Sequence, residues 1–236
     1  MKKPQLFLLH FAGGNCYSFQ FLTPLLNFFE VIPLELPGRG KRMNENLLNV
    51  FDVAARDLYG QLAPRLNKAP FLIYGHSMGA YLALKVCHLL EAAGRFPAYL
   101  IVSGNAGPRK KENNAYRYLL KQDAFMDMLK DLGGIPEELL SDKELFEFFE
   151  PILRADFEVA ERHHMENETP VSAPLYAMMG SLEEEVEEIQ NWSRFTQAHF
   201  ESKVFDGDHF FIHKHAPAIA GVINNCYNRV ATLQFQ

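Results

Sequence analysis

The sequence predicts an α/β fold in which a mostly parallel sheet is covered by helices on both faces. Short apolar runs alternate along the chain with longer helix-like stretches, the order expected of β-α-β units. The runs are apolar at consecutive positions, as in strands buried on both sides. Apolar residues make up 48% of 236 residues, enough for one well-buried core. No internal repeat or low-complexity linker interrupts the chain, so residues 1–236 read as a single domain.

Taken in order, strands are expected at Leu6–His10, Phe29–Leu34, Phe71–Tyr74, Tyr99–Ser103, Leu175–Met179 and Lys203–Phe205. Helices are expected around Phe51–Leu66, Met78–Ala92, Val186–Gln197 and Ala216–Arg229. The alternation breaks over about residues 107–169, where helix-like pieces follow one another without a strand, the pattern of a helical lid inserted between sheet strands. Gly133-Gly134, Pro136 and Pro151 punctuate the interval, which predicts separate short helices at Ala115–Lys121, Ala124–Leu132, Lys143–Leu153 and Ala155–His163. Its apolar positions, among them Phe125, Met128, Leu129, Phe146 and Leu153, either fasten the lid to the sheet or line an acyl channel.

Charge and cysteine content exclude several classes of function. With 23 basic against 29 acidic residues the net charge is −6, and no basic stripe interleaved with aromatics suggests nucleic acid. Met1-Lys2-Lys3-Pro4 runs directly into the first strand without a signal-like apolar stretch, and no run is long enough to span a membrane. Cys16, Cys87 and Cys226 form no C-x-x-C pair and leave an odd thiol under any pairing. A cytoplasmic protein is the expectation.

The chemistry begins at Gly75-His76-Ser77-Met78-Gly79, which follows the strand Phe71–Tyr74 and opens the helix from Met78. In this strand–turn–helix setting G-x-S-x-G reads as a nucleophile elbow, so the fold class sharpens to an α/β-hydrolase with Ser77 as nucleophile. A serine hydroxyl near neutral pH needs a base, and the base needs an orienting acid. His209, in Gly207-Asp208-His209 between the last strand and the last helix, stands where the chain order Ser…Asp/Glu…His puts the base. The same order puts the acid in the loop after Leu175–Met179, which contains no aspartate. Glu183, the first carboxylate after the turn, is selected, with Glu184 as the alternative. Two backbone donors should hold the oxyanion: the N–H of Met78, directly after the nucleophile, and that of Ala12 in the glycine-bearing loop after the first strand, with Phe11 as fallback. No histidine pair comes with a carboxylate at metal-ligand spacing, so neither a metal nor another cofactor is expected.

At this level the chain resembles the type II thioesterases, the free-standing α/β-hydrolases that accompany polyketide and nonribosomal peptide synthetases. The matching segments run nearly end to end: Phe11-Ala12-Gly13-Gly14, Leu36-Pro37-Gly38-Arg39-Gly40-Lys41-Arg42, the elbow, Gly133-Gly134-Ile135-Pro136, Leu153-Arg154-Ala155-Asp156-Phe157 and Gly207-Asp208-His209-Phe210-Phe211. The resemblance implies hydrolysis of acyl thioesters carried on the phosphopantetheine arm of an acyl or peptidyl carrier protein, for editing or release, with the lid shaping the acyl tunnel. It also selects position 183 for the acid, where the family usually has aspartate and this chain has glutamate. Two other readings are a carboxylesterase acting on small oxygen esters and a carrier-binding protein with weak catalysis. Pro108-Arg109-Lys110-Lys111 with Arg117 and Lys121 is the densest basic stretch, and it is either a face that steers an acidic carrier or a solvated edge of the lid.

Overall fold

The computed structural model describes residues 2–109, 116–134 and 137–233. Lys110, Lys111, Ala115, Ile135 and Pro136, all named above, lie outside the described residues. The described chain runs β1 (Gln5–Leu9), β2 (Glu30–Pro33), α1 (Phe51–Leu62), β3 (Phe71–His76), α2 (Met78–Ala92), β4 (Tyr99–Ser103), α3 (Gln122–Leu132), α4 (Glu137–Ser141), α5 (Lys143–Glu161), β5 (Leu175–Gly180), β6 (Phe200–Phe205), α6 (Phe211–Lys214) and α7 (Ala216–Leu233). The six strands form one sheet in the order β2-β1-β3-β4-β5-β6. Every pairing is parallel, with Leu8 opposite Tyr74, Tyr74 opposite Ile101 and Ile101 opposite Tyr176. Pro33, which lacks a ladder donor, falls on the edge strand β2, where its absence from the hydrogen bonding is tolerated.

The period-2 geometry of a strand divides each apolar run between two cores. Phe7, Leu9, Ile73, Leu100, Val102, Ala177 and Met179 face α1, α2 and the segment around Trp192. Leu6, Leu8, Leu72, Tyr74, Ile101 and Met178 face Phe19, Leu22 and α7. Both layers therefore bury apolar area, at roughly 1.5–3 kcal/mol for each large aliphatic or aromatic side chain removed from water.

Three helical predictions change in the structure. Pro151 sits inside α5, one continuous helix of 19 residues, so the pieces expected at Lys143–Leu153 and Ala155–His163 are joined. The missing N–H and the ring clash of an interior proline cost about 3 kcal/mol. Burial of Phe146, Leu153 and Phe157 along one face of α5 against Phe125 and Leu129 outweighs that cost. Asp142 starts the helix, its Oδ1 accepting the Leu145 N–H at 3.0 Å. The second change is Val186–Phe195, a 3₁₀-helix and not an α-helix. Its buried residues, Ile189, Trp192 and Phe195, recur every three positions and line up in one row at three residues per turn. Over Ala115–Lys121 the described part is a 3₁₀ turn at Arg117–Leu119. No helix among the described residues is long and apolar enough to cross a membrane.

Candidate active site

The parallel sheet sends the loops after β1, β3, β5 and β6 to the same end, the carboxyl ends of the strands, where open α/β sheets bind ligands. Ser77 lies between β3 and α2 with φ 56° and ψ −117°, and among the described residues it alone combines a positive φ with a side chain. Such a conformation costs of order 1–3 kcal/mol and must be held by its surroundings. The Ser77 N–H donates to the Ser103 carbonyl at 2.7 Å, and the Ser77 carbonyl accepts from Asn105 Nδ2 at 2.8 Å and from the Ala80 N–H at 3.0 Å. A Cβ on Gly75 would lie 2.0 Å from the Gly79 carbonyl oxygen, and one on Gly79 2.3 Å from the Leu9 oxygen. The elbow glycines are thus required by close backbone approach.

Ser77, His209 and Glu183 meet at this end of the sheet. His209 Nε2 lies 2.9 Å from Ser77 Oγ, and His209 Nδ1 lies 2.8 Å from Glu183 Oε2. The second Glu183 oxygen accepts the Gly180 N–H at 2.7 Å, which folds the longer carboxylate arm back toward its own strand. Side chains of His209 and Glu183 are only 13% and 9% exposed. Glu184 points to solvent.

A buried polar chain lies beneath the histidine. His76 packs with its ring centroid 5.0 Å from that of His209, its Nδ1 is 2.8 Å from Ser103 Oγ, and Ser103 Oγ is 2.9 Å from the Tyr74 hydroxyl. Burial, reinforced by the neighbouring His209 and His213, holds His76 well below the usual histidine range, so it stays neutral. Phe210 closes the site on one side, edge-on to Phe11 at 5.0 Å and to His209 at 5.1 Å.

The two backbone N–H groups expected to receive an oxyanion are both free of partners among the described residues. Met78 opens α2, and first-turn amides have no intrahelical acceptor. In the β1 loop, the Gly14 N–H closes a turn onto the Phe11 carbonyl at 2.9 Å and the Gly13 N–H donates to Asp156 Oδ2 at 2.8 Å, which leaves the Ala12 N–H uncommitted.

Ser103, Asn105 and Trp192 support the elbow and were not singled out from the sequence; Trp192 Nε1 donates to the Asn105 carbonyl at 2.9 Å. Their signal was position, since Ser103 and Asn105 stand at the carboxyl end of a central strand. The basic stretch expected to steer a carrier is described only in part. Arg109 is ion-paired to Glu185 and Glu188, and Arg117 Nε lies 2.5 Å from Glu161 Oε1, so their charges are largely satisfied within the chain. A cavity of about 1160 Å³ opens at the opposite, amino ends of the strands, lined by Phe71, Phe96, Tyr99 and Pro174. None of its described lining residues is a serine, threonine or cysteine, and Ser77 lies at the other end of the sheet.

Fold and site together define a serine hydrolase of the α/β-hydrolase fold. The family model described as Thioesterase domain matches residues 4–227, and the chain belongs to that family. A curated relative, linear gramicidin dehydrogenase LgrE of Brevibacillus parabrevis, is 31% identical over 227 residues, covering 93% of this chain and 86% of its own. The crystal structure of ClbQ from the colibactin NRPS/PKS pathway superposes with TM-score 0.90 at 26% identity, covering 98% of this chain and all of that one. YbtT, a type II thioesterase from the yersiniabactin NRPS/PKS pathway, gives TM-score 0.87 at 28% identity, covering 97% and 94%. The protein is a serine thioesterase, and its similarity to YbtT and ClbQ places it with the type II thioesterases.

Proposed function

We propose that this thioesterase removes acyl groups from the phosphopantetheine arm of acyl or peptidyl carrier proteins, with Ser77 as nucleophile, His209 as base and Glu183 as orienting acid. The observation that carries this reading is the continuous hydrogen-bonded line from Ser77 Oγ through both ring nitrogens of His209 to Glu183 Oε2, at 2.9 and 2.8 Å. The carrier as substrate is supported by the pathways named for ClbQ and YbtT.

In the acylation step Ser77 Oγ attacks the thioester carbonyl while His209 Nε2 takes its proton, and Glu183 stabilises the imidazolium through Nδ1–H. The Met78 and Ala12 N–H groups donate to the oxyanion of the tetrahedral intermediate. Collapse breaks the C–S bond, and His209 returns the proton to the departing thiol of the carrier arm. Water, deprotonated by the same histidine, then attacks the Ser77 ester; the acyl C–Oγ bond breaks, His209 returns the proton to Ser77 Oγ and the acid leaves. A thiolate is a better leaving group than the serine alkoxide, which makes deacylation the slower half. Glutamate serves where aspartate is more usual because its second oxygen is tied to the Gly180 N–H, which fixes the extra methylene. We place the whole reaction in one α/β-hydrolase domain over residues 1–236, with about residues 107–169 as its helical lid.

The test is intact-mass analysis of an acyl-loaded carrier protein incubated with the enzyme. Loss of the acyl mass with recovery of the free thiol is expected, and Ser77→Ala should abolish it. Rapid turnover of small aryl esters with an untouched carrier would make the protein a carboxylesterase instead.

A further inference from the structure

The reading above leaves one buried ion pair without a task. Arg39, from the loop after β2, forms a fork with Asp156 of α5: Nη2 lies 2.7 Å from Oδ1, and Nη1 bonds Oδ2. The two side chains are 4% and 0% exposed. Asp156 Oδ2 accepts in addition the Gly13 N–H at 2.8 Å, and Arg39 Nη1 reaches toward the Gly14 carbonyl at 3.4 Å. One turn earlier on α5, Leu153 seals the same spot, since a Cβ on Gly13, whose φ is +75°, would lie 2.5 Å from Leu153 Cδ2.

We infer that Arg39 and Asp156 are positioning residues through which helix α5 of the lid sets the peptide planes of the β1 loop and so aims the Ala12 N–H at the reacting carbonyl. The inference rests on the oxyanion role proposed for Ala12. Two observations separate positioning from plain structural support. The pair grips backbone of the loop itself, at consecutive residues Gly13 and Gly14 on one side of Ala12. It is also poorly optimised as a stabilising pair, because Arg39 Nε is buried with no partner among the described residues. Buried ion pairs lose much of their attraction to desolvation, and apolar pairs of similar volume often serve stability as well or better. What an apolar pair cannot do is accept the Gly13 N–H. With that amide and the Gly14 N–H both committed, the turn has one orientation left, and it leaves Ala12 free to donate. Docking of α5 and completion of the oxyanion site are then one event.

The experiment compares wild type, Asp156→Asn and the double variant Arg39→Met with Asp156→Leu, which leaves no unpaired buried charge. Three quantities are measured: thermal midpoint, kcat and KM on an acyl-N-acetylcysteamine thioester, and affinity for two analogues. One analogue is an acyl trifluoromethyl ketone, whose adduct with the nucleophile places an oxyanion in the hole, and the other is an unreactive thioether. The double variant is expected to fold with a thermal midpoint near wild type and to lose about 10²–10³-fold in kcat, the scale of one oxyanion donor. Its affinity for the ketone should fall in parallel while KM and thioether affinity stay within about twofold, a split that a general loss of stability does not produce. Asp156→Asn, which keeps an oxygen acceptor for Gly13, should fall between. A folded double variant with wild-type kcat and ketone affinity overturns the inference, as does failure of every variant at these positions to fold. Ser77→Ala is run beside them: if it retains turnover, the catalytic reading of the site falls; if it is dead while the double variant is fully active, only the positioning role does.

Discussion

Glu183 holds His209 by one carboxylate oxygen and its own strand by the other, at 2.8 Å to Nδ1 and 2.7 Å to the Gly180 N–H. A glutamate has one more rotatable bond than an aspartate, and the second hydrogen bond removes that freedom. The carboxylate is thereby set before substrate arrives, as the orienting role proposed for Glu183 requires.

Glu183→Gln removes the acceptor that fixes the imidazole tautomer. Turnover should fall about 10²–10⁴-fold in steady-state assays, with little change in KM. Glu184→Gln, at a solvent-facing position, should stay within about twofold of wild type. Equal losses at both positions would dissociate the Glu183–His209 contact from catalysis.

Ser77 should be the residue acylated by a fluorophosphonate, with peptide mapping as the readout. Ser77→Ala should lose on the order of 10⁶-fold in kcat, as removal of a triad nucleophile does. Because Ser77 is held at φ 56°, a conformation alanine also finds strained, the variant should be no more stable than wild type.

Acid should destabilise the fold through two buried histidines. His10 is lowered by burial and by Arg39, against the opposing pull of Asp156 and Glu35, and His76 is lowered by burial, His209 and His213. Both are depressed in the folded state, so the unfolded chain binds more protons once the pH drops below about 6.5, the ordinary histidine value. Their contribution is complete above that pH and is lost as the pH falls from it toward the folded values. The linkage slope is at most about 1.4 kcal/mol per pH unit for each histidine. Denaturant melts between pH 6.5 and 5 should show it, and His76→Gln should remove one histidine's share of the slope.

The thiols should be inert at neutral pH. Burial and the Glu35 carboxylate push Cys16 up to about 11, burial lifts Cys226 to about 12, and burial with Glu91 raises Cys87 well above its usual range. All three are free. Iodoacetamide at pH 7.5 should label native protein far more slowly than unfolded protein, and it should leave thioesterase activity intact.

Features carried by a contiguous stretch of chain were legible in the sequence. Doubly buried strands such as Phe71–His76 and Tyr99–Ser103 announce themselves as unbroken apolar runs, and the elbow is a pentapeptide whose context is its neighbours. The convergence of Ser77, His209 and position 183 was readable too, because in a parallel sheet every strand delivers its following loop to the same end. The row Ile189, Trp192, Phe195 repeats every three positions, close enough to a period of 3.6 that a helix is expected over Val186–Gln197 where the chain forms a 3₁₀-helix.

What tertiary structure alone decided involves partners distant in sequence. Pro151 forecasts a break, yet α5 continues because residues from α3 pack along its apolar face, an energy that no local propensity contains. Arg109 and Arg117 look like free basic charge until the fold brings Glu185, Glu188 and Glu161 against them. Arg39 and Asp156 are 117 positions apart, and nothing in either segment signals that one carboxylate will hold both the guanidinium and the Gly13 amide. The sequence determined which groups stand at the ends of the strands, since strand order and loop direction follow from local pattern. How those groups are aimed was decided by packing and hydrogen bonds between segments that meet only when the chain has folded.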